Sequence, residues 1–254
     1  MKRLVTLCLL LLGLLPANAQ YSGEAVQDET ARVTVAKFIA PVTLITIGSL
    51  GVGVPFMVKG REWVRDNVGY CYVGGRPFKA DDYIQFLPLA MDLGLGAIGV
   101  KARHTFKDRF LVSATAYASM AIMVNAVKYS VCEMRPDNSS ANSFPSGHTA
   151  TAFTAAEIVR VEYGPWWGLG AYAISVATAC LRVYNNRHWV NDLLAGAGFG
   201  ILSAHIGYWL LPLENRAIDA IRSRHASRKD IGFLALPMAD PFTRSAGLSI
   251  AMSF

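Results

Sequence analysis

Between positions 128 and 192 the chain holds two histidines, one carboxylate and three permanent cations whose types and spacing suit chemistry on phosphorus. They form three clusters: Lys128 to Arg135 and Pro136, then Pro145-Ser146-Gly147-His148, then Arg182, His188 and Asp192. His188 and Asp192 are four apart, so on one helix they share a face, and the carboxylate accepts from the ring Nδ1–H. That leaves Nε2 as an unprotonated nucleophile. Alone, such a pair reads more readily as a surface ion pair; beside Arg182 and His148 the catalytic reading takes precedence. Pro145-Ser146-Gly147-His148 reads as a helix start, where serine caps, glycine permits close backbone approach and the free N–H groups of the first turn bind anions. Any one of Lys128, Arg135 and Arg182 could snorkel to a membrane interface. Three together beside two histidines instead suggest a bound phosphoryl group, whose oxygens accept bidentate guanidinium bonds.

Each cluster sits at the end of a helix-length apolar stretch. Phe110 to Val127 leads into the first, Thr149 to Val161 leaves the second, Tyr163 to Leu181 leads to the third and Leu193 to Leu213 leaves it. Short connections favour antiparallel packing, which gathers all three clusters on one face. The helix after the second cluster carries Glu157, Arg160 and Glu162 and is expected to be enclosed by the others.

The apolar excess is general. Hydrophobic residues make up 53% of 254, and the mean hydropathy is +0.32, above soluble usage and concentrated in long runs. No linker divides the chain, so a membrane-embedded, all-α bundle of about five to six helices is expected over residues 20–213. Lys2-Arg3, Leu4 to Leu15 and Pro16-Ala17-Asn18-Ala19 have the three regions of a secretory signal, with cleavage after Ala19. Phe38 to Val58 is long enough for one crossing, but Pro41, Gly48, Gly51, Gly53 and Pro55 leave open a kinked span or an excursion that returns. Residues 59–82 read as turns. Asp92, in mid-span, reads as a carboxyl hydrogen-bonded within the bundle. Residues 214–254 form a basic tail with room for a short C-terminal β-hairpin.

Cys180 reads as core, whereas Cys71 and Cys132 lie in polar connections and could pair in an oxidising compartment. No cysteine or histidine spacing matches a metal site, and no basic tract interleaved with aromatics points to nucleic acid. Orientation stays open. Basic residues at 101–109 and in the tail favour an outward-facing site, although residues 59–79 hold five more. The preferred reading has Phe38 to Val58 not crossing and the site outside.

Lysine, six residues, Arg-Pro; Pro-Ser-Gly-His; and arginine, five residues, histidine, three residues, aspartate stand in this order, and in this the chain resembles the type 2 phosphatidic acid phosphatase and vanadium haloperoxidase superfamily. The resemblance covers residues 110–213 and departs from the usual pattern at Leu181, where the family commonly has serine. It implies a phosphohydrolase that needs no metal or cofactor. His188 would attack phosphorus to form a phosphohistidine, Asp192 would orient it, and His148 would protonate the leaving oxygen and later activate water. Lys128, Arg135, Ser146, Gly147 and Arg182 would hold the phosphoryl oxygens. The expected substrate is a lipid-linked phosphate of the lipid A, undecaprenyl diphosphate or phosphatidylglycerol phosphate type, met at the outer face of a bacterial inner membrane. Competing expectations are a secreted non-specific acid phosphatase, a vanadate-dependent haloperoxidase and an anion-binding bundle without catalysis.

Overall fold

The first apolar run breaks where proline dictates. A computed structural model, which describes residues 30–229, 232–240 and 245–253, places α1 (Ala36–Gly53) and α2 (Pro55–Val68) on either side of Val54. Val54 is extended, because the residue ahead of a proline is disfavoured in the helical region. The interruption therefore follows 18 continuous helical residues instead of falling in mid-run, so the excursion and return preferred from the sequence is not what the backbone does. The signal segment 1–19 and its cleavage site lie outside the described residues.

Downstream come α3 (Asp81–Ile84), α4 (Leu87–Ala97), α5 (Phe106–Val131), α6 (Gly147–Tyr163), α7 (Pro165–Tyr184) and α8 (Val190–Lys229). Among the described residues this makes eight helices, more than the five or six expected, because the 59–82 connection folds into α2 and the single turn α3. Local sequence sets the ends. Thr105 caps α5 by accepting from the Asp108 N–H, and the left-handed Cys132 closes it. Ser146 caps α6, and Pro165 occupies the first turn of α7.

Three helical stretches are long and apolar enough to cross a bilayer: Ala36–Gly53, Phe106–Val131 and Val190–Arg224. The protein is a membrane-embedded helical bundle. Within it α6 is enclosed, with every residue from Thr149 to Val159 buried except Thr151. Its Phe153, Ala156 and Val159 share a core cluster with Val176 and Cys180 of α7 and Ile201 of α8. Glycines bring α8 close to its neighbours. A Cβ on Gly196 would lie 2.5 Å from the Ser146 carbonyl oxygen, and one on Gly200 2.5 Å from that of Ala150. On another face, a Cβ on Gly198 would lie 2.6 Å from the Pro41 oxygen, while Gly51 abuts Asn191. Hence α1 runs antiparallel to α8, with Gly51 beside the first turn of α8 and Pro41 farther along it.

The chain divides into two compact units at Leu211 and Pro212. In the second, α8 continues past Leu213 to Lys229 through residues rich in Ala, Arg and Ile, which sustain a helix. β1 (Gly232–Asp240) and β2 (Ser245–Ser253) then pair antiparallel, with Leu236 opposite Ser249. The free thiols of Cys71 and Cys132 are both exposed, so no disulfide ties the 59–82 connection to the loop after α5.

Candidate active site

The six-residue interval from Arg182 to His188 follows from how α7 ends. Helix α7 stops at Tyr184, and Asn186 takes a left-handed φ of 54°. The chain then turns back, so that the Arg182 carbonyl accepts from the N–H groups of Arg187 at 3.0 Å and His188 at 3.4 Å. Two residues later α8 begins. Asp192 lies in its first turn, and Oδ2 reaches back to the Trp189 N–H at 2.9 Å, in the manner of a capping box. The same oxygen takes the Ser143 hydroxyl at 2.5 Å and faces His188 Nδ1 at 3.3 Å. With Nδ1–H donating to this carboxylate, the His188 lone pair is on Nε2.

His188 is buried, and burial holds its pKa well below the ordinary 6.5, with the charges of Arg182, Lys128 and Arg135 acting in the same direction. The ring is therefore neutral and nucleophilic at physiological pH. The arrangement also shows that all three cations lie within electrostatic reach of the histidine. Lys128 Nζ donates to the backbone carbonyls of Asn142 at 2.7 Å and Ser143 at 3.5 Å, so it meets the same loop that delivers the Ser143 hydroxyl to Asp192. Arg135 is half-buried, and its guanidinium has neither ion pair nor hydrogen bond among the described residues. Burial and the neighbouring Arg182 both lower its pKa, against the partial opposition of the Asp137 and Asp192 carboxylates.

The Pro145–His148 turn is joined to the same place by the Ser146 N–H, which donates to the Asp192 carbonyl at 3.0 Å. The Ser146 hydroxyl is fully buried and accepts from the Thr149 N–H at 3.4 Å and the Thr149 hydroxyl at 3.0 Å. Its structural place is thus the helix cap. Gly147 is half-exposed and a Cβ there would meet nothing within 4 Å, so open space lies over the first turn. His148 points its Nε2 at Asp82 Oδ1, 3.0 Å away. Burial, then the charge of Arg182, push its pKa below 6.5, opposed by Asp82 and Asp81.

Asp81 and Asp82 went unnoticed in the sequence. Arg182 Nη1 donates to Asp81 Oδ2 at 2.6 Å and approaches Asp82 Oδ1 at 3.4 Å. The turn carrying them is stitched to the end of α7, with Asn185 bonding both backbone groups of Phe78 and also Asp81 Oδ1 at 3.0 Å. Tyr184 further donates to the Arg76 carbonyl. Beyond the rim, Arg61 on α2 pairs with Glu133 and lies 4.6 Å over the Trp189 ring. Burial and the nearby Asp192 push the Glu133 carboxyl up to about 7. A lone Asp-Asp pair far upstream carries no motif, so no signal in the sequence marked these residues.

The PAP2 superfamily model matches residues 109–216. A lipid A 1-phosphatase of Porphyromonas gingivalis is 45% identical over 139 residues, covering 53% of this chain and 31% of that protein. The bacitracin transport permease protein BcrC of Bacillus licheniformis is 32% identical over 74 residues, covering 28% of this chain and 34% of that protein. The chain thus spans about a third of the length of the curated relatives it matches. The crystal structure of a transmembrane PAP2 type phosphatidylglycerolphosphate phosphatase from Bacillus subtilis overlays with a TM-score of 0.37 at 22% identity, covering 86% of this chain and 98% of that one. The matched residues 109–216 carry Lys128, Arg135, Ser146, Gly147, His148, Arg182, His188 and Asp192, and over this segment the chain is similar to the PAP2 superfamily.

Proposed function

We propose that the protein is a membrane phosphohydrolase that removes phosphate from a lipid-linked phosphate through a phosphohistidine, with no metal or cofactor. The observation that carries this reading is Arg135, a half-buried guanidinium without a counter-ion beside a neutral, carboxylate-oriented His188. A phosphoryl group supplies the missing negative charge and the electrophile together. His188 Nε2 attacks phosphorus as the P–O bond to the lipid breaks, and His148 gives its proton to the departing oxygen. Water, losing a proton to His148, then attacks phosphorus as the P–N bond breaks, releasing phosphate and restoring His188. Lys128, Arg135, Arg182 and the first-turn N–H groups of α6 hold the developing charge, the largest contribution in such reactions.

The membrane-embedded bundle favours a lipid substrate over a small soluble ester. Among lipids, the lipid A type leads because the relative at 45% identity is a lipid A 1-phosphatase. The test measures phosphate release by the purified protein from lipid A, undecaprenyl diphosphate, phosphatidylglycerol phosphate and p-nitrophenyl phosphate. Release from a lipid, abolished by His188→Ala, supports the proposal. A clear preference for the soluble ester points to a general acid phosphatase, and no release from any ester leaves only an anion-binding bundle.

The proposed location is a bacterial inner membrane with the site facing outward. Helix α1 has the length of a crossing and ends near the site, so residue 36 and the site then lie on opposite faces. An outward site has the chain enter α1 from the cytoplasmic side. Lys37 at the start of α1 and Lys101, Arg103, Lys107 and Arg109 around the start of α5 lie opposite the site and favour the cytoplasm there. Cys71 and Cys132, exposed near the site, provide the measurement. A membrane-impermeant maleimide should label them from outside in intact cells, and labelling only after permeabilisation would reverse the orientation.

A further inference from the structure

Asp82 is the most exposed acid near the reacting groups, and it touches two of them at once. Its neighbour Asp81 differs in every respect. The Asp81 side chain is 2% exposed, bonded to Arg182 and Asn185, and serves to hold the arginine in place. The Asp82 side chain is 53% exposed, lies 3.0 Å from His148 Nε2 and makes only the longer 3.4 Å approach to Arg182. The groups facing His148 are thus Asp81 and Asp82 from α3, Arg182 from α7 and His188 from the α7–α8 connection. Arg182 disfavours an imidazolium, and the two aspartates oppose it. Of those aspartates only Asp82 is hydrogen-bonded to the ring.

Resting on the phosphohydrolase reading above, we propose that Asp82 is the positioning residue of the proton donor, accepting from His148 Nε2–H and so fixing the ring and its charge beside Arg182. With that N–H committed to Asp82, the proton delivered to the departing oxygen is the one on Nδ1. After transfer, Nδ1 has the lone pair that takes a proton from the attacking water. Asp82 itself keeps its charge throughout and exchanges no proton. The carboxylate thus does for His148 what Asp192 does for His188, but from a different helix and with the opposite outcome. Asp192 leaves its histidine neutral and nucleophilic, while Asp82 favours the protonated form of its partner.

The experiment compares wild type, Asp82→Asn and Asp82→Glu on a lipid phosphate and on p-nitrophenyl phosphate, across pH. An unprotonated nitrophenolate leaves readily, so a defect in proton donation should show on the lipid ester and largely spare the aryl ester. Asp82→Asn should lower kcat on the lipid phosphate by about tenfold. It should also move the alkaline limb of the kcat/KM profile to lower pH by about one unit, since removing the carboxylate lowers the His148 pKa. Asp82→Glu should restore part of both effects. If instead Asp82 merely occupies the anion pocket in the resting state, Asp82→Asn lowers KM and the inhibition constant of inorganic phosphate with kcat and pH profile unchanged, and the proposal fails. Equal losses on both esters also overturn it. A wild-type protein that releases no phosphate would sink the underlying phosphohydrolase reading instead, before any variant is compared.

Discussion

The two ends of the helical bundle handle buried charge in opposite ways. Away from the site, each of three acids meets a partner at close range. Glu157 takes Arg160 at 2.6 and 2.7 Å and the Tyr172 hydroxyl at 2.5 Å. Glu162 takes His104 Nδ1 at 2.8 Å and the Tyr208 hydroxyl at 2.7 Å, and Asp92 takes Arg109 at 3.0 Å. At the site, Arg182 has two aspartates, Lys128 bonds only backbone carbonyls, and Arg135 has no partner among the described residues. Matched ions in an apolar interior join helices, whereas unmatched ones await a ligand. The difference teaches where to expect stability effects and where to expect kinetic ones.

The sharpest way to break the contrast is at a matched acid. Glu157→Ala should leave the half-buried Arg160 and the buried Tyr172 hydroxyl without their shared partner, a cost of about 3 kcal/mol, at the low end for a broken buried pair. It should appear as a large fall in melting temperature in detergent, with kcat/KM in the surviving folded fraction little changed. At the unmatched end the expectation inverts. Arg135→Met should lose about a hundredfold in kcat/KM, the scale of one missing charge-stabilising donor. Its thermal stability should be equal or higher, because the repulsion between Arg135 and Arg182 is removed. A destabilised but active Arg135→Met protein would mean that this end, too, is built for structure.

A smaller effect separates guanidinium from ammonium. Arg182→Lys should lose at least about tenfold in kcat/KM, or about 1.4 kcal/mol, since a point charge cannot span the Asp81 carboxylate and a phosphoryl oxygen as the planar fork does. An unimpaired Arg182→Lys enzyme removes Arg182 from the phosphoryl site. The mildest prediction needs no mutation. His188 must be neutral and His148 protonated, and both are held below 6.5 in the free protein. The kcat/KM profile should therefore be a bell whose two limbs both lie below about pH 6.5. A bound phosphoryl dianion favours the His148 imidazolium, so the alkaline limb of kcat should fall at higher pH than that of kcat/KM. A kcat/KM plateau extending above neutral pH would contradict these assignments.

How far the sequence revealed this arrangement depended on distance along the chain. His188 and Asp192 were legible because helical periodicity relates residues four apart, and the three clusters were legible as one site because short connections force neighbouring helices antiparallel. Asp92 was correctly read as a bundle carboxyl, although its partner Arg109 was not named. Asp81 and Asp82 were hidden because their partner Arg182 is about a hundred residues away, and two adjacent aspartates in a turn-rich stretch look like any solvated loop. Ser143 was hidden for a similar reason, since serine is common and its bond to Asp192 depends on the loop path. The 38–58 run was misread as an excursion because five prolines and glycines suggested a mid-run break. Pro41 is tolerated within α1, Gly48 and Gly51 serve close packing, and only Pro55 ends it.

The main-chain bonds that return His188 to the Arg182 carbonyl make the interval between these residues a ruler of fixed length. Provided the residue count stays at five, evolutionary drift can rewrite the surface-paired Arg187 with modest consequence, whereas Val183 is held by the core. An insertion or deletion there would carry the nucleophile off the carbonyl that locates it and separate it from the arginine in a single step. A library that varies this segment should therefore tolerate substitution chiefly at Arg187 and almost no change of length.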